Sequence, residues 1–166
     1  MDVDYQQLKD YPKLIKILDE FNELAYPRTW NVHMIKNVKI VDIQPSKLTI
    51  AFKVDKTHCR PSYFSDPQEI EHASPGCIVT VMDVFSSFAI GAMSDKRAWD
   101  YWGPTSGLNV HFFEQIPIGT VIYMEFVVMH INKLTLTVEG RVYNEDSTIL
   151  YAEGTHTQIN VLKPKL

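Results

Sequence analysis

The twenty residues from Ser74 to Met93 carry one charge, Asp83, in a run that is otherwise apolar or small. The pattern is helical. Ser74 suits an N-cap, and Pro75 suits the first helical position, where its missing N–H removes no helical bond. A helix that is apolar on nearly every face has to be enclosed by other structure, and enclosing an ionised carboxylate is costly unless partners compensate it. Asp83 is therefore either a structural residue satisfied by backbone or subunit contacts, or a working carboxylate on a pocket wall, as general base or nucleophile. Gly76, Thr80, Asp83 and Ser87 recur at spacings of four, three and four, which puts a small polar strip on one face of the helix. Both readings stay open on the helix alone.

At 166 residues the chain is long enough for one domain with a proper core, with or without a terminal extension. It is 45% hydrophobic and 22% charged, with a net charge of −4 and no Lys/Arg cluster, which argues against nucleic acid as a partner. Cys59 and Cys77 are too few for a disulfide framework or a zinc-ligand pattern. Reducing, cytoplasmic conditions and no metal or redox cofactor are expected. Met1-Asp2-Val3-Asp4 reads as neither a secretory signal nor a transit peptide, and no apolar run is expected to reach transmembrane length. The terminal Pro164-Lys165-Leu166 is a loose relative of the peroxisomal address Ser-Lys-Leu, which leaves the peroxisome as the alternative compartment.

Along the chain, residues 4–25 read as an N-terminal helix with a stripe of Tyr11, Leu14, Ile15, Leu18, Phe21 and Ala25, which Pro12 starts or breaks. Val38–Asp42 and Lys47–Val54 read as strands around a Gln44-Pro45-Ser46 turn. Residues 55–73 lack periodicity and read as a long loop, with His72 a solvent-exposed histidine beside the helix start. Ser94–Pro104 is a second connection, where Trp99, Tyr101 and Trp102 cover an acyl chain or serve packing. Lys96 and Arg97 there read as a solvated helix end, with contact to phosphates as the rival account. Four strands follow, at Leu108–Glu114, Thr120–Ile131, Leu134–Tyr143 and Ile149–Asn160, in meander spacing. His111 and His156 alternate with apolar neighbours and read as structural. The expected class is α+β: an antiparallel sheet wrapped around the long central helix, with an extra N-terminal helix. Its free edge suggests a dimer with one continuous sheet.

Three segments resemble the hotdog-fold acyl-CoA thioesterase superfamily, in its PaaI-like and thioesterase-superfamily-member branch, from about residue 35 to residue 162. Gly76-Cys77-Ile78-Val79-Thr80-Val81-Met82-Asp83 is similar to that family's His-Gly-Gly helix opening with its third-turn Asp. Gly103-Pro104-Thr105-Ser106-Gly107-Leu108-Asn109-Val110, with Pro117-Ile118-Gly119-Thr120, resembles its strand and turn. Ala152-Glu153-Gly154-Thr155-His156-Thr157 resembles its closing strand. The resemblance implies a helical extension over 1–30, a hotdog domain over 31–166, and a homodimer, with a dimer of dimers left open. It also implies hydrolysis of acyl-CoA to free acid and coenzyme A. Asp83 would be base or nucleophile, and Thr105 the water-orienting hydroxyl from the facing subunit, with Ser106 its neighbour. Gly76 and the Gln68 side chain would polarise the carbonyl, while Ser74, His72 and Thr80 would line the substrate.

Counted back from Asp83, the family's His and first Gly fall on Ser74 and Pro75. Proline has no N–H to offer an oxyanion, so Gly76 N–H, the Ser74 hydroxyl or His72 would have to compensate. Weak hydrolysis is one expectation. A catalytically silent hotdog protein that binds acyl-CoA or a protein partner is the alternative. A hotdog hydratase, resting on an Asp83–His72 pair, is a third.

Overall fold

The computed structural model describes residues 6, 8–25, 37–60, 72–93, 99 and 103–160. The N-terminal helix is shorter than the apolar stripe suggested. α1 spans Pro12–Glu20 and runs into a π-turn at Phe21–Ala25. Pro12 starts it, since proline's fixed φ is already helical and the missing N–H falls where no bond is made. Leu14, Ile17 and Leu18 turn inward, and Phe21 meets Phe88 edge-on at 5.1 Å. α1 crosses the end of the central helix so closely that a Cβ on Gly91 would lie 2.7 Å from Leu14 Cα.

The chain then forms β1 (Val38–Gln44), β2 (Lys47–Lys53), β3 (Cys59–Arg60), β4 (His72–Ala73), α2 (Pro75–Phe88, continuing as a 3-10 turn over Ala89–Ala92), β5 (Thr105–Phe112), β6 (Val121–Ile131), β7 (Thr135–Tyr143) and β8 (Leu150–Ile159). Six strands make one antiparallel sheet in the order β1-β2-β6-β7-β8-β5. The expected meander therefore holds only for β6, β7 and β8. β5 does not lie beside β6 but pairs with β8 at the far edge. The chain returns from that edge through a crossing segment, held where Ala73 N–H donates to Ile116 C=O and Gly119 N–H to Val54 C=O.

Alternation sets the inner face. Leu48, Ile50 and Phe52 on β2, Ile122, Met124 and Phe126 on β6, and Leu136, Val138 and Val142 on β7 are all buried. They close around Ile78, Val81, Met82, Phe85 and Phe88 of α2. The outer face is charged, with Lys47 bonded to Glu125 at 3.0 Å and Arg141 to Glu139 at 2.7 Å. Residues 55–60 and 72–73 are more ordered than a bare loop. Asp55 caps a 3-10 turn at Lys56–His58, and β3 pairs with β4. One further expectation needs correction: Pro75–Ala92 is long and apolar enough to cross a membrane by composition, with 61% of it buried inside the protein. As the core helix of a wrapped sheet it would show the same composition.

Gly154 fixes how closely β5 and β8 approach. A Cβ there would sit 2.3 Å from Asn109 C=O, a backbone atom of the paired strand. Gly154→Ala should destabilise the fold by about 1–3 kcal/mol through this overpacking, read as a lower urea midpoint. An unchanged midpoint would mean that the two strands can move apart freely.

Candidate active site

α2 begins where β4 ends. Ser74 N–H donates to His58 C=O at 2.8 Å, and Ser74 C=O accepts from Cys77 N–H and Ile78 N–H at 2.9 and 3.3 Å. Ser74 occupies the N-cap position, as the sequence suggests, though its side chain makes no cap bond. Pro75 lacks an N–H, so Gly76 supplies the first free amide. Gly76 is exposed, and among the described residues nothing accepts its N–H. The helix start also concentrates the positive end of the helix dipole there. His72 lies on β4, half-buried rather than solvent-exposed, and its backbone bridges to Pro117.

The polar strip on α2 divides. Gly76, Thr80 and Asp83 face outward, whereas Ser87 is buried. Thr80 Oγ1 donates to Gly76 C=O at 2.8 Å, and Ser87 Oγ to Asp83 C=O at 2.9 Å, so both hydroxyls are occupied by the helix backbone. Asp83 is not enclosed within the chain: its side chain is 43% exposed. The solvation penalty argued from the apolar run therefore does not arise in a single copy.

Two side chains converge on that carboxylate from different strands, and a third stands behind one of them. Thr105 Oγ1, at the start of β5, donates to Asp83 Oδ1 at 2.8 Å and lies 2.9 Å from His156 Nε2. His156 Nε2 is itself 3.3 Å from Asp83 Oδ1. On the other side of the ring, Nδ1 lies 2.6 Å from Ser86 Oγ. The resemblance set the hydroxyl on the facing subunit. Here Thr105 reaches Asp83 within one chain, because β5 lies at the sheet edge beside β8 and alongside α2. Ser106 is exposed in a bulge, where pairing with β8 shifts between Thr105 and Gly107.

The sequence reading missed His156 as a neighbour of the carboxylate and Ser86 as the hydroxyl behind its ring. His156 was read as structural, and the Asp–His pair was sought at His72. The signal lay in strand parity: the buried positions 152, 154, 156 and 158 of β8 read Ala, Gly, His and Gln, so two polar side chains point into the core. Gln158 Nε2 donates to Ser87 Oγ at 2.6 Å. Trp99 is buried and donates to Asn132 C=O at 2.7 Å, a packing role. Gln68, Lys96, Arg97, Tyr101, Trp102 and the terminal Pro164-Lys165-Leu166 lie outside the described residues.

Burial pushes the His156 imidazole below the usual histidine range, and the Asp83 charge pulls the other way without overcoming it. Burial, helped by Cys59 and Asp55, pushes the Cys77 thiol up to about 12, so Cys77 is no nucleophile at neutral pH. For His156 the unfolded chain binds the proton more readily than the fold does. The stability from its neutral form is thus complete above about pH 6.5 and is lost as pH falls below that. Urea midpoints at about pH 7.5 and about pH 5.5 should show this fall, and His156→Gln should flatten it. Equal slopes in the two proteins would remove His156 from the account.

Residues 71–151 match a family model described as Thioesterase superfamily. No curated protein matches the chain significantly. Among solved structures, zebra fish thioesterase superfamily member 2 superposes with a TM-score of 0.70 at 19% identity, covering 88% of this chain and 96% of that one. The PaaI protein of the Escherichia coli phenylacetic acid degradation operon gives 0.68 at 11% identity, over 92% and 96%. A hypothetical thioesterase from Streptococcus pneumoniae, solved with coenzyme A, gives 0.61 at 14% identity, over 77% and 88%. At these identities the likeness shows the fold, which is the hotdog arrangement of an antiparallel sheet around a central helix.

Proposed function

Because residues 71–151 match the thioesterase superfamily model, we propose that the chain hydrolyses acyl-CoA thioesters to the free acid and coenzyme A. The observation that carries the reading is the half-exposed Asp83 carboxylate, held by the Thr105 hydroxyl and backed by His156. One carboxylate oxygen is fixed by that bond, which leaves the other to face water. Asp83 then acts as general base. It takes a proton from a water molecule, whose oxygen bonds to the thioester carbonyl carbon. The carbon–sulfur bond then breaks, and the coenzyme A thiolate leaves. Gly76 N–H and the helix dipole stabilise the oxyanion formed on the way. The coenzyme A in the pneumococcal structure supports the substrate class by analogy of fold.

The reading also takes a second copy into the site. Gly76 and Asp83 lie on the same helix, and seven residues of α-helix rise about 10 Å, a span that one thioester carbonyl and its attacking water would bridge only fully extended. Pairing Asp83 of one copy with the helix start of another, in a dimer, removes that constraint.

Pro75 favours the second reading, a hotdog protein that binds acyl-CoA without turnover. Free thiol released from a panel of short-, medium- and long-chain acyl-CoA esters separates the two. Turnover of any ester by the unmodified protein supports hydrolysis, whereas tight binding with no thiol release supports the silent reading.

A further inference from the structure

Ser86 plays no part in the hydrolysis as written above, yet it is 2% exposed and its hydroxyl meets an imidazole nitrogen at 2.6 Å. The proton count around it is restrictive. An ionised Asp83 only accepts, so the single Thr105 proton goes to Asp83 Oδ1 at 2.8 Å. Thr105 Oγ1 then needs a donor in the direction of His156, and Nε2 lies there at 2.9 Å. A neutral imidazole carrying its proton on Nε2 has a bare Nδ1, and the only hydroxyl within reach of Nδ1 among the described residues is that of Ser86. Ser86 has one other acceptor, Asp83 C=O, at a longer 3.3 Å.

We propose that Ser86 is a positioning residue: its hydroxyl donates to His156 Nδ1, fixes the Nε2–H form of the ring, and so keeps the Thr105 proton on Asp83. The assignment rests on the hydrolytic reading for its catalytic meaning and on geometry alone for the tautomer. In the opposite tautomer a bare Nε2 would face Thr105 and compete with Asp83 for its only proton. The surroundings offer no substitute for Ser86. The space beside the ring is lined by Met82, Leu108, Phe126 and Val138 with Gly140 and Gly154, and it has no room for a water molecule. Asp83 is the only charged group that faces the ring from α2. The positions opposite His156 on β7 and β5 are Val138 and Leu108.

The test uses protein labelled with 15N at histidine, whose ring shifts show which nitrogen carries the proton, alongside steady-state kinetics on an acyl-CoA ester. The unmodified protein should show His156 as the Nε2–H form. Ser86→Ala should give a tautomer mixture and lower kcat by about tenfold with KM unchanged, a smaller loss than removing the base itself. Ser86→Thr, which restores the hydroxyl, should recover both the tautomer and the rate. A His156 proton on Nδ1 in the unmodified protein overturns the proposal, and so does a Ser86→Ala protein that retains the Nε2–H form. If no ester is hydrolysed by the unmodified protein, the hydrolytic reading fails, while the ring shifts still decide the role of Ser86.

Discussion

Asp83→Asn is expected to lower kcat for acyl-CoA hydrolysis by about a hundred- to ten-thousandfold, the range typical of a lost general base. The two side chains have nearly the same shape, and the amide oxygen still accepts from Thr105 Oγ1, now 2.8 Å from Asp83 Oδ1. The constellation therefore stays in place while its proton acceptor is lost. Substrate binding does not draw on the carboxylate charge in this reading, so KM should change little, and a kcat loss without a KM change is the mark of an interaction made in the transition state. The fold should also tolerate the change. Asp83 is 43% exposed and is not enclosed by the apolar core, so no buried charge loses a partner. An unfolding midpoint close to that of the unmodified protein, together with the lost rate, would place the effect in the chemistry. A variant that keeps most of its activity would exclude Asp83 as base and leave thioester hydrolysis here without its central residue.

How much of this could be read from the sequence varies with the range of the interaction. Helix α2 was legible because Pro75 and the apolar run from Cys77 act locally. Strand β7 was legible because Val138, Gly140 and Val142 alternate with Glu139, Arg141 and Tyr143. The place of β5 was not legible. It pairs with β8, so Leu108 lies opposite His156, nearly fifty residues away, and nothing in residues 105–112 encodes that choice. Within the site, Asp83 and Thr105 followed from the family resemblance, and the structure brings them together. His156 was missed because alternation was read as apolar packing, when the inward parity of β8 holds His156 and Gln158. Ser86 was missed for a related reason. The strip through Gly76, Thr80, Asp83 and Ser87 is correct as helical geometry, yet Ser86 and Ser87 flank the Asp83 direction on opposite sides. Which of the two meets the imidazole depends on where β8 crosses the helix, a tertiary fact.

Pro75→Gly is expected to raise kcat by about a hundred- to thousandfold, the usual worth of one oxyanion-hole donor. An α-helix begins with unpaired N–H groups, but here that supply is reduced. Pro75 has none, and Cys77 and Ile78 donate to Ser74 C=O. Only Gly76 N–H remains to meet developing negative charge. A glycine at position 75 adds a second amide one residue earlier, at the positive end of the helix dipole, where two donors can converge on one oxygen. The change has a structural cost, since proline pre-sets φ for the first helical position and glycine restores backbone freedom to the unfolded chain, worth about 0.4–1 kcal/mol. Stability and activity should thus move in opposite directions, a pairing that repair of a damaged fold would not produce. A rate gain that disappears when Asp83→Asn is added would tie both groups to one reaction. No gain, with the unmodified protein already active, would mean that Gly76 N–H suffices alone. No turnover in either protein would exclude hydrolysis, and the silent reading would then stand or fall on measured binding of acyl-CoA.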